Sequence, residues 1–488
     1  MSTTITPALI EELKASLTSS TIVTPSDEAY PEAITRWSSA AEKPAGLVVF
    51  PTTASDISHT ILFCSRHNIE IATSCGRHST SGASSTDGGL VIDLSHMRTV
   101  IVDPGAKTIT AEGGCTWEDV DNAAAVHGLA TVGGTVNHTG IGGLTLGGGY
   151  GWLSGQHGLT IDNLLSVSIV LSCGSILTAS PHKNSDLFFA IRGAGQCFGI
   201  VTSFVYLAHP QGPVYAGMLL FPSSPEVIAG VTEFMNHLVA TSKGESAMVV
   251  AISRPPAGGD VAIGCIVFYN GTTEEGERFF GKLLEMGPVV NQAREMEYRK
   301  VNEIMNGSVG FGGRKNLKGS SFLCPLNQEF VRRIVEEVAS FTEEYKDAGR
   351  SMVLLEAFSS GVWEKRGMEE MAFANRGPHL SSMVGAVWND SGIDKVCREW
   401  CRKVAGMFTA EFERSKKERG LESQAVGEYA NYDGLDRGTN AEKMFGVNYK
   451  RLTELKGKYD PGNLFRRSYA FLPVVAEEAG GVSVPAMV

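Results

Sequence analysis

The chain has 488 residues, with 42 lysines and arginines against 53 aspartates and glutamates, so its formal net charge is −11. With 43% hydrophobic and 19% charged residues, the chain has the composition of a globular protein, and its acidic balance argues against a nucleic-acid partner. No apolar stretch approaches the length of about 20 residues that a membrane span needs. Charged residues at 11, 12 and 14 occupy the place where a signal peptide is apolar, so a cytoplasmic location is expected.

The first half of the chain alternates strand and helix signals, which predicts a mixed α/β lobe. A helix is expected to begin at Ser55-Asp56, and a capping box of Thr116 and Asp119 predicts another helix ending near His127. Strands are predicted over residues 47–50, 69–73, 89–94, 98–102, 108–112, 166–171 and 199–208.

From about Val214 the pattern changes to alternating strands and long amphipathic helices. Strands are predicted over 247–253 and 261–269, and apolar residues recur at helical spacing over 330–341 and 393–412. These stripes are typical of helices that cover a sheet, so we expect a second domain. The nine cysteines contain no C-x-x-C pair, which favours buried apolar residues over a disulfide framework or a zinc site.

Glycine is concentrated in one segment, where nine of the nineteen residues over 133–151 are glycine. Such density suits a backbone that adopts positive φ or lets a ligand approach closely. The segment 131–165 has no lysine or arginine, so an anionic ligand there must be held by backbone amides. A dinucleotide pyrophosphate is the natural candidate, and a purely structural turn is the alternative.

The glycine segment does not match a nicotinamide-binding motif. Thr145 stands where the third glycine of G-x-G-x-x-G belongs, and Asp162 alone is weak support for a ribose-binding acid. A second loop of small residues, 74–89, contains His78 as its one nucleophilic side chain. A histidine in a loop is usually a surface or hydrogen-bonding residue, but here its neighbours are small enough to admit a large ligand.

The two loops resemble the flavin-binding domain of the berberine bridge enzyme-like flavoproteins, in the vanillyl-alcohol oxidase superfamily. The matching segments run from PTTASDI at residue 51, CGRHS at 75 and DGGLVID at 87 to GIGGLTLGGGYG at 140, LTIDNL at 159, DLFFAIRG at 186 and FGIVT at 198. The C-terminal segments YANY, FGVNYKRL and YDPGNLF, which begin at residues 429, 445 and 459, are similar to the same family.

The resemblance implies a two-domain α+β fold of the PCMH type, with an FAD-binding domain over 37–210 completed by about 441–475. The substrate domain, with an antiparallel sheet covered by helices, is expected over 214–440. The resemblance also implies FAD bound by the two glycine loops and joined covalently to His78. Many relatives add a second bond from a cysteine, but Val136 occupies that position, so a single bond through His78 is expected.

The family pattern has glycine where this chain has Arg77, whose guanidinium is expected either beside the flavin phosphates or in solvent. Asn448 resembles the family residue that reaches the flavin ring, and a helix cap is its alternative role. The cofactor-binding residues that the resemblance implies are Cys75, Gly76, Arg77, His78, Ser79, Gly134, Thr139, Gly140, Gly142, Gly143, Gly148, Gly149, Gly199, Ile200, Val201 and Asn448.

Three tyrosines are the candidate catalytic residues that the resemblance implies: Tyr150, Tyr429 and Tyr432. A tyrosine acts as a base only if its surroundings lower its pKa from about 10. The alternatives are that Tyr150 only packs under the flavin ring and that Tyr432 is a core residue. His138, Arg376, His379 and Trp388 are further candidates for the substrate pocket.

The resemblance implies an FAD-linked oxidase that acts on a small organic molecule, as in natural-product pathways. We expect O₂ as the electron acceptor, with hydride transfer to flavin N5 assisted by a base. The alternatives are a dehydrogenase that excludes O₂, and a flavin-containing cyclase or ligand-binding scaffold without net redox chemistry. A monomer or a homodimer is expected, with neither nucleic acid nor membrane as a partner.

Overall fold

The computed structural model describes residues 3–255, 258–421, 428–432, 434, 441–469 and 471. The strands of its first part are β1 (Thr21–Val23), β2 (Leu47–Phe50), β3 (Ile71–Ser74), β4 (Leu90–Asp93), β5 (Val100–Asp103), β6 (Thr108–Glu112), β7 (Leu129–Ala130), β8 (Leu164–Val170), β9 (Ile176–Ala179), β10 (Ile200–Leu207) and β11 (His209–Pro210). The strands of its second part are β12 (Val214–Pro222), β13 (Ser246–Ser253), β14 (Ala262–Tyr269), β15 (Val290–Asn291), β16 (Arg294–Met296), β17 (Arg314–Phe322), β18 (Met352–Phe358) and β19 (Leu380–Trp388).

The helices lie between these strands and after them. They are α1 (Pro7–Ser16), α2 (Tyr30–Ile34), α3 (Ala54–Arg66), α4 (Trp117–Ala125), α5 (Ile141–Leu146), α6 (Ser154–His157), α7 (Ser185–Ala194), α8 (Pro225–Thr241), α9 (Thr273–Phe279), α10 (Gly281–Glu285), α11 (Tyr298–Val301), α12 (Gln328–Glu344), α13 (Asp394–Glu418), α14 (Ala441–Phe445) and α15 (Tyr449–Tyr459). Among the described residues, none of these helices combines the length and apolar character needed to cross a membrane.

The first part of the chain forms two main sheets. One has the order β1-β2-β4-β3, in which β2, β4 and β3 run parallel. The strands β2 and β4 are fully buried because parallel strands are normally covered on both faces. The other sheet is antiparallel, with the order β5-β6-β10-β8-β9.

The second part forms one antiparallel sheet in the order β15-β12-β14-β13-β18-β19-β17, with β16 also paired to β12. Helices α8 and α12 pack on β13 and β18, and α13 packs on β17 and β19. The apolar stripes predicted at 330–341 and 393–412 therefore do cover a sheet. The C-terminal helices α14 and α15 contribute to a core shared with β6, β8, β10 and α7 from the first part.

The main local predictions agree with these elements, with two corrections. The helix expected from Ser55-Asp56 begins earlier, at Ala54, because the Thr53 hydroxyl accepts the Asp56 amide hydrogen as the cap. The long helix α13 continues to Glu418, beyond the apolar pattern over 393–412 that predicted it. The nine cysteines are all free, and six of them are buried. The domain boundaries stay a prediction, and within the predicted domains residues 256–257, 422–427, 433, 435–440, 470 and 472–475 lie outside the described ones.

Candidate active site

The two glycine loops contact each other directly. A Cβ atom placed on Gly76 would overlap the backbone of Gly140, and one placed on Gly140 would overlap the backbone of Gly76. Glycine is needed at both positions because any side chain would push the loops apart. Two segments that are more than sixty residues apart in the sequence therefore form one surface, as their predicted common ligand requires.

Backbone amides without a protein acceptor line this surface. Among the described residues, none of the amides of residues 76–82 donates to a protein oxygen. Gly143, in the first turn of α5, has no intrahelical acceptor, and Gly140 before it supplies no side-chain cap, whereas the Gly142 amide donates to the Cys75 sulfur. These donors fit a bound pyrophosphate, and the segment 131–165, which supplies those of α5, contains no lysine or arginine.

Arg77 does not add its charge to this surface. Its Nε donates to the buried Asp93 carboxylate at 3.1 Å, and one of its terminal nitrogens donates to the Glu32 carbonyl at 2.9 Å. The Arg77 side chain is 17% exposed. The alternative of a guanidinium in solvent is therefore wrong, because the buried Asp93 carboxylate holds it against the protein, and its place relative to the flavin phosphates stays a prediction.

His78 lies in an aromatic environment that keeps its imidazole neutral. Its Nε2 is 2.8 Å from His138 Nδ1, and its ring stacks on Trp37 at 5.0 Å between centroids. Burial, with smaller contributions from His138 and Lys315, lowers the pKa of His78 to about 3. Among the described residues His78 Nδ1 has no hydrogen-bond partner, so the side chain offers a neutral nitrogen able to form a bond.

The other predicted residues of the loops lie on or beside the same surface. Burial raises the pKa of the Cys75 thiol to about 12, so this thiol is not a nucleophile. The Ser79 hydroxyl is 2.9 Å from that of Ser81, and the Thr139 carbonyl accepts the Trp117 amide hydrogen. Gly134 packs against Trp117 and Leu144, and Gly148 and Gly149 follow α5 with positive φ values of 119° and 91°.

The remaining cofactor candidates lie in other elements. Gly199, Ile200 and Val201 lead into β10, where the two apolar side chains are buried in the core. Asn448 is 3% exposed, and its amide nitrogen donates to the Met368, Met371 and Ala372 carbonyls. Its side chain therefore does not cap α15. The cofactor-binding roles of Gly199, Ile200, Val201 and Asn448 stay predictions.

The three candidate tyrosines form one cluster. Tyr150 and Tyr429 are 4.7 Å apart between ring centroids, and Tyr429 and Tyr432 are 4.8 Å apart, both pairs edge to face. Burial is the main cause that raises the pKa of each of the three hydroxyls above the ordinary value. None of them has the lowered pKa that a tyrosine base requires, and their catalytic role stays a prediction.

A carboxyl group that the sequence reasoning missed completes the cluster. Glu356 lies on β18, and the Tyr432 hydroxyl donates to its Oε1 at 2.8 Å. Glu356 points to the same face as Phe358, which packs on Trp152 after the glycine segment. The sequence signal that could have indicated Glu356 is its position as the single acidic residue in the apolar run MVLLEAF.

Glu356 has the properties of a base near neutral pH. It is 3% exposed, and its Oε2 has no hydrogen-bond partner among the described residues. Burial raises its pKa from 4.5 to about 7, against a smaller lowering by the Tyr432 hydrogen bond. A carboxylate with this pKa and a free oxygen can accept a proton from a substrate hydroxyl.

The further pocket candidates divide into two groups. The Asn375 amide nitrogen donates to the Tyr150 hydroxyl at 3.3 Å, and His379 Nε2 lies 2.7 Å from Asn375 Oδ1. Arg376 is instead paired with Asp162 at 2.6 Å, both side chains being almost fully buried, and Trp388 donates to Asp394. His379 therefore borders the tyrosine cluster, whereas Arg376 and Trp388 have structural partners.

No group of three or more histidine, cysteine, aspartate or glutamate residues suited to a metal ion occurs in the described part of the chain. Two surface cavities of about 390 Å³ lie elsewhere, one beside Phe234 and Phe279 and one beside Phe221 and Val289. Neither contains a member of the tyrosine cluster or of the two glycine loops.

Comparison with known proteins points to flavin chemistry at this site. Residues 45–180 match the family model described as "FAD binding domain", and residues 428–469 match "Berberine and berberine like". The FAD-linked oxidoreductase pgmH of Aspergillus terreus is 33% identical over 477 residues, which cover 95% of this chain and 96% of that protein.

Two further relatives extend the comparison. (R)-6-hydroxynicotine oxidase of Paenarthrobacter nicotinovorans is 25% identical over 93% of this chain and 96% of its own. The solved structure of BBE-like 1 from Physcomitrella patens has a TM-score of 0.81 at 20% identity, covering 95% of this chain and 99% of that one. This likeness confirms the expected two-domain α+β fold of the PCMH type.

Proposed function

Because this chain belongs to the berberine bridge enzyme-like FAD-linked oxidoreductases, we propose that it oxidises a small natural-product molecule with O₂ as the electron acceptor. FAD is its cofactor and, when bound, supplies the acceptor for the two electrons that leave the substrate. The observation that carries this proposal is the buried Glu356 beside the tyrosine cluster, on the sheet face directed toward Trp152.

We assign the proton transfer to Glu356 rather than to a tyrosine. Its carboxylate accepts the proton of a substrate alcohol or phenol through the free Oε2, while Tyr432 holds Oε1. Tyr150 and Tyr429 form the aromatic wall beside it and exclude water from the reacting atoms. Loss of this proton makes the substrate electron-rich, which favours departure of a hydride from the adjacent carbon.

The proposed use of O₂ rests on the name of a relative, (R)-6-hydroxynicotine oxidase, and is tested by reoxidation. The protein is reduced by light without oxygen and then mixed with air-saturated buffer. We expect the oxidised flavin spectrum to return within seconds, with about one H₂O₂ formed per flavin. Reoxidation over many minutes would contradict the oxidase and indicate a dehydrogenase with another acceptor.

We further propose that the flavin is bound by one covalent bond, from His78 to the 8α-methyl carbon. As the carbon–nitrogen bond forms, one hydrogen leaves the imidazole and one leaves the methyl carbon, and O₂ takes up both as H₂O₂. The neutral imidazole supports this proposal, because a protonated ring has no lone pair on either nitrogen. The FAD-binding domain is proposed to comprise residues 37–210 and about 441–475, and the substrate domain residues 214–440.

Replacing Tyr432 by phenylalanine is expected to move the acidic limb of the pH profile of kcat/KM to higher pH. The Tyr432 hydrogen bond lowers the pKa of Glu356, so its loss raises the pKa of the base above about 7. A hydrogen bond to a charged group corresponds to a shift of about one pH unit, with kcat at pH 7 falling about fivefold as the ionised fraction drops. Tyr429→Phe is the control, since the Tyr429 hydroxyl accepts from Asn431. If the acidic limbs of the Tyr432→Phe and Tyr429→Phe profiles lie at the same pH, the assignment of Glu356 as the base is contradicted.

A further inference from the structure

The loop that carries His78 is not held by its own backbone amides. Among the described residues, none of the seven amides of residues 76–82 donates to a protein oxygen. A loop of this kind needs other contacts to keep one conformation before a ligand arrives, because ordering each residue costs conformational entropy. Three of the contacts that are present involve Arg77.

Arg77 has a left-handed backbone, with φ at 61°. This conformation is uncommon for a residue with a side chain and persists only where surrounding contacts impose it. Three contacts do so. The Arg77 guanidinium donates to Asp93 and to the Glu32 carbonyl, and the Arg77 carbonyl accepts the Trp37 amide hydrogen at 3.0 Å.

These contacts lead directly to His78. The Trp37 ring, whose amide is bound to Arg77, stacks on the His78 ring with an angle of 14° between planes. The Trp37 indole nitrogen donates to the Val309 carbonyl, and the Lys315 ammonium lies 4.7 Å from the Trp37 ring centroid. Arg77 thus links the buried Asp93 at the end of β4 to the ring against which His78 packs.

We infer that Arg77 is a positioning residue that holds the His78 imidazole ready for covalent flavin attachment. It orients His78 through the left-handed turn and through Trp37, and it leaves the neighbouring amides free. The inference rests on the proposed bond between His78 and the flavin. It assigns a role to the one position in CGRHS where this chain departs from the family glycine.

The test follows covalent attachment in the purified full-length protein incubated with added FAD in air. The readout is the flavin that stays with the protein after acid precipitation. Arg77→Gln is expected to slow attachment at least about tenfold, whereas the Kd of FAD in a His78→Ala background changes by less than about threefold. Arg77→Lys, which can still donate to Asp93, is expected to restore most of the rate.

Two further variants separate positioning from general stability. Arg77→Gln with Asp93→Asn removes the charge pair without leaving a buried carboxylate unpaired, and it is expected to slow attachment as the single variant does. Arg98→Gln is the matched control, because Arg98 makes a two-nitrogen contact to Asp119 in the same part of the chain. Its attachment rate is expected to equal that of the wild type.

The inference would be overturned if the Arg77→Gln and Arg77→Gln/Asp93→Asn proteins both attach flavin within about twofold of the wild-type rate. The proposed bond from His78 would not be affected by that result. A wild-type protein whose flavin is released completely by acid would instead overturn the proposed bond, and the positioning role with it. A parallel loss of FAD affinity and attachment rate, without rescue by lysine, would show that Arg77 only stabilises the fold.

Discussion

Exchanging Glu356 for glutamine is expected to lower kcat by about 10²–10⁴-fold, the usual contribution of a positioned general base. Glutamine has nearly the same shape and keeps an oxygen for the Tyr432 hydroxyl, but it cannot accept a proton from the substrate. In the wild type, activity should rise with pH through the Glu356 pKa of about 7, because only the carboxylate acts as a base. The variant should lack this limb.

The stability of the same variant supplies an independent check. Folding raises the pKa of Glu356 from 4.5 to about 7, so ionising the folded group reduces stability as the pH rises through this range. Above pH 7 the reduction is complete and amounts to about 3 kcal/mol at 1.36 kcal/mol per unit of pKa. Glu356→Gln removes this cost, so its Tm at about pH 8 should not be below that of the wild type.

Asp121→Asn is the matched control. Asp121 is 4% exposed, and burial raises its pKa to about 7 as well, but its partner is Asn302 rather than a member of the tyrosine cluster. Its kcat should stay within about threefold of the wild-type value. If the Glu356→Gln enzyme keeps its kcat and the acidic limb of its pH profile, Glu356 is not the base, and one of the tyrosines becomes the candidate.

Replacing His78 by alanine is expected to abolish acid-stable flavin completely. The wild-type protein should keep its yellow colour in the pellet after acid precipitation, and the variant should release it to the supernatant. The amides of residues 76–82 remain in the variant, so FAD should still bind, without a covalent bond. Val136 in place of a second attachment cysteine leaves no cysteine at that position to form a bond.

His138→Ala is the control for this assignment, because His138 lies 2.8 Å from His78 and is the other imidazole able to form the bond. We expect the His138 variant to keep its acid-stable flavin, and mass spectrometry of the flavin peptide should identify residue 78. Acid-stable flavin in the His78→Ala protein, or its loss in the His138→Ala protein alone, would show that His78 is not the attachment residue.

Much of the local structure follows from short segments of the sequence. The capping box of Thr116 and Asp119 begins α4, and the apolar run at 47–50 is a buried strand, because these signals act between residues close along the chain. The sequence predicted the cap of α3 at Ser55, two residues after the observed cap Thr53. Prediction of a helix start is limited here because several neighbouring hydroxyl residues can each serve as the cap.

By itself the sequence determined where an anion can be bound by backbone alone, because dense glycine and the absence of lysine and arginine are properties of one segment, 131–165. Only the tertiary structure decided what surrounds the reacting groups. The sheet brings Glu356 to Tyr432, and the fold buries the Asp93 that holds Arg77. The physical reason is that burial sets the pKa of an acid and the partner of a cation, and burial depends on residues that are distant in the sequence.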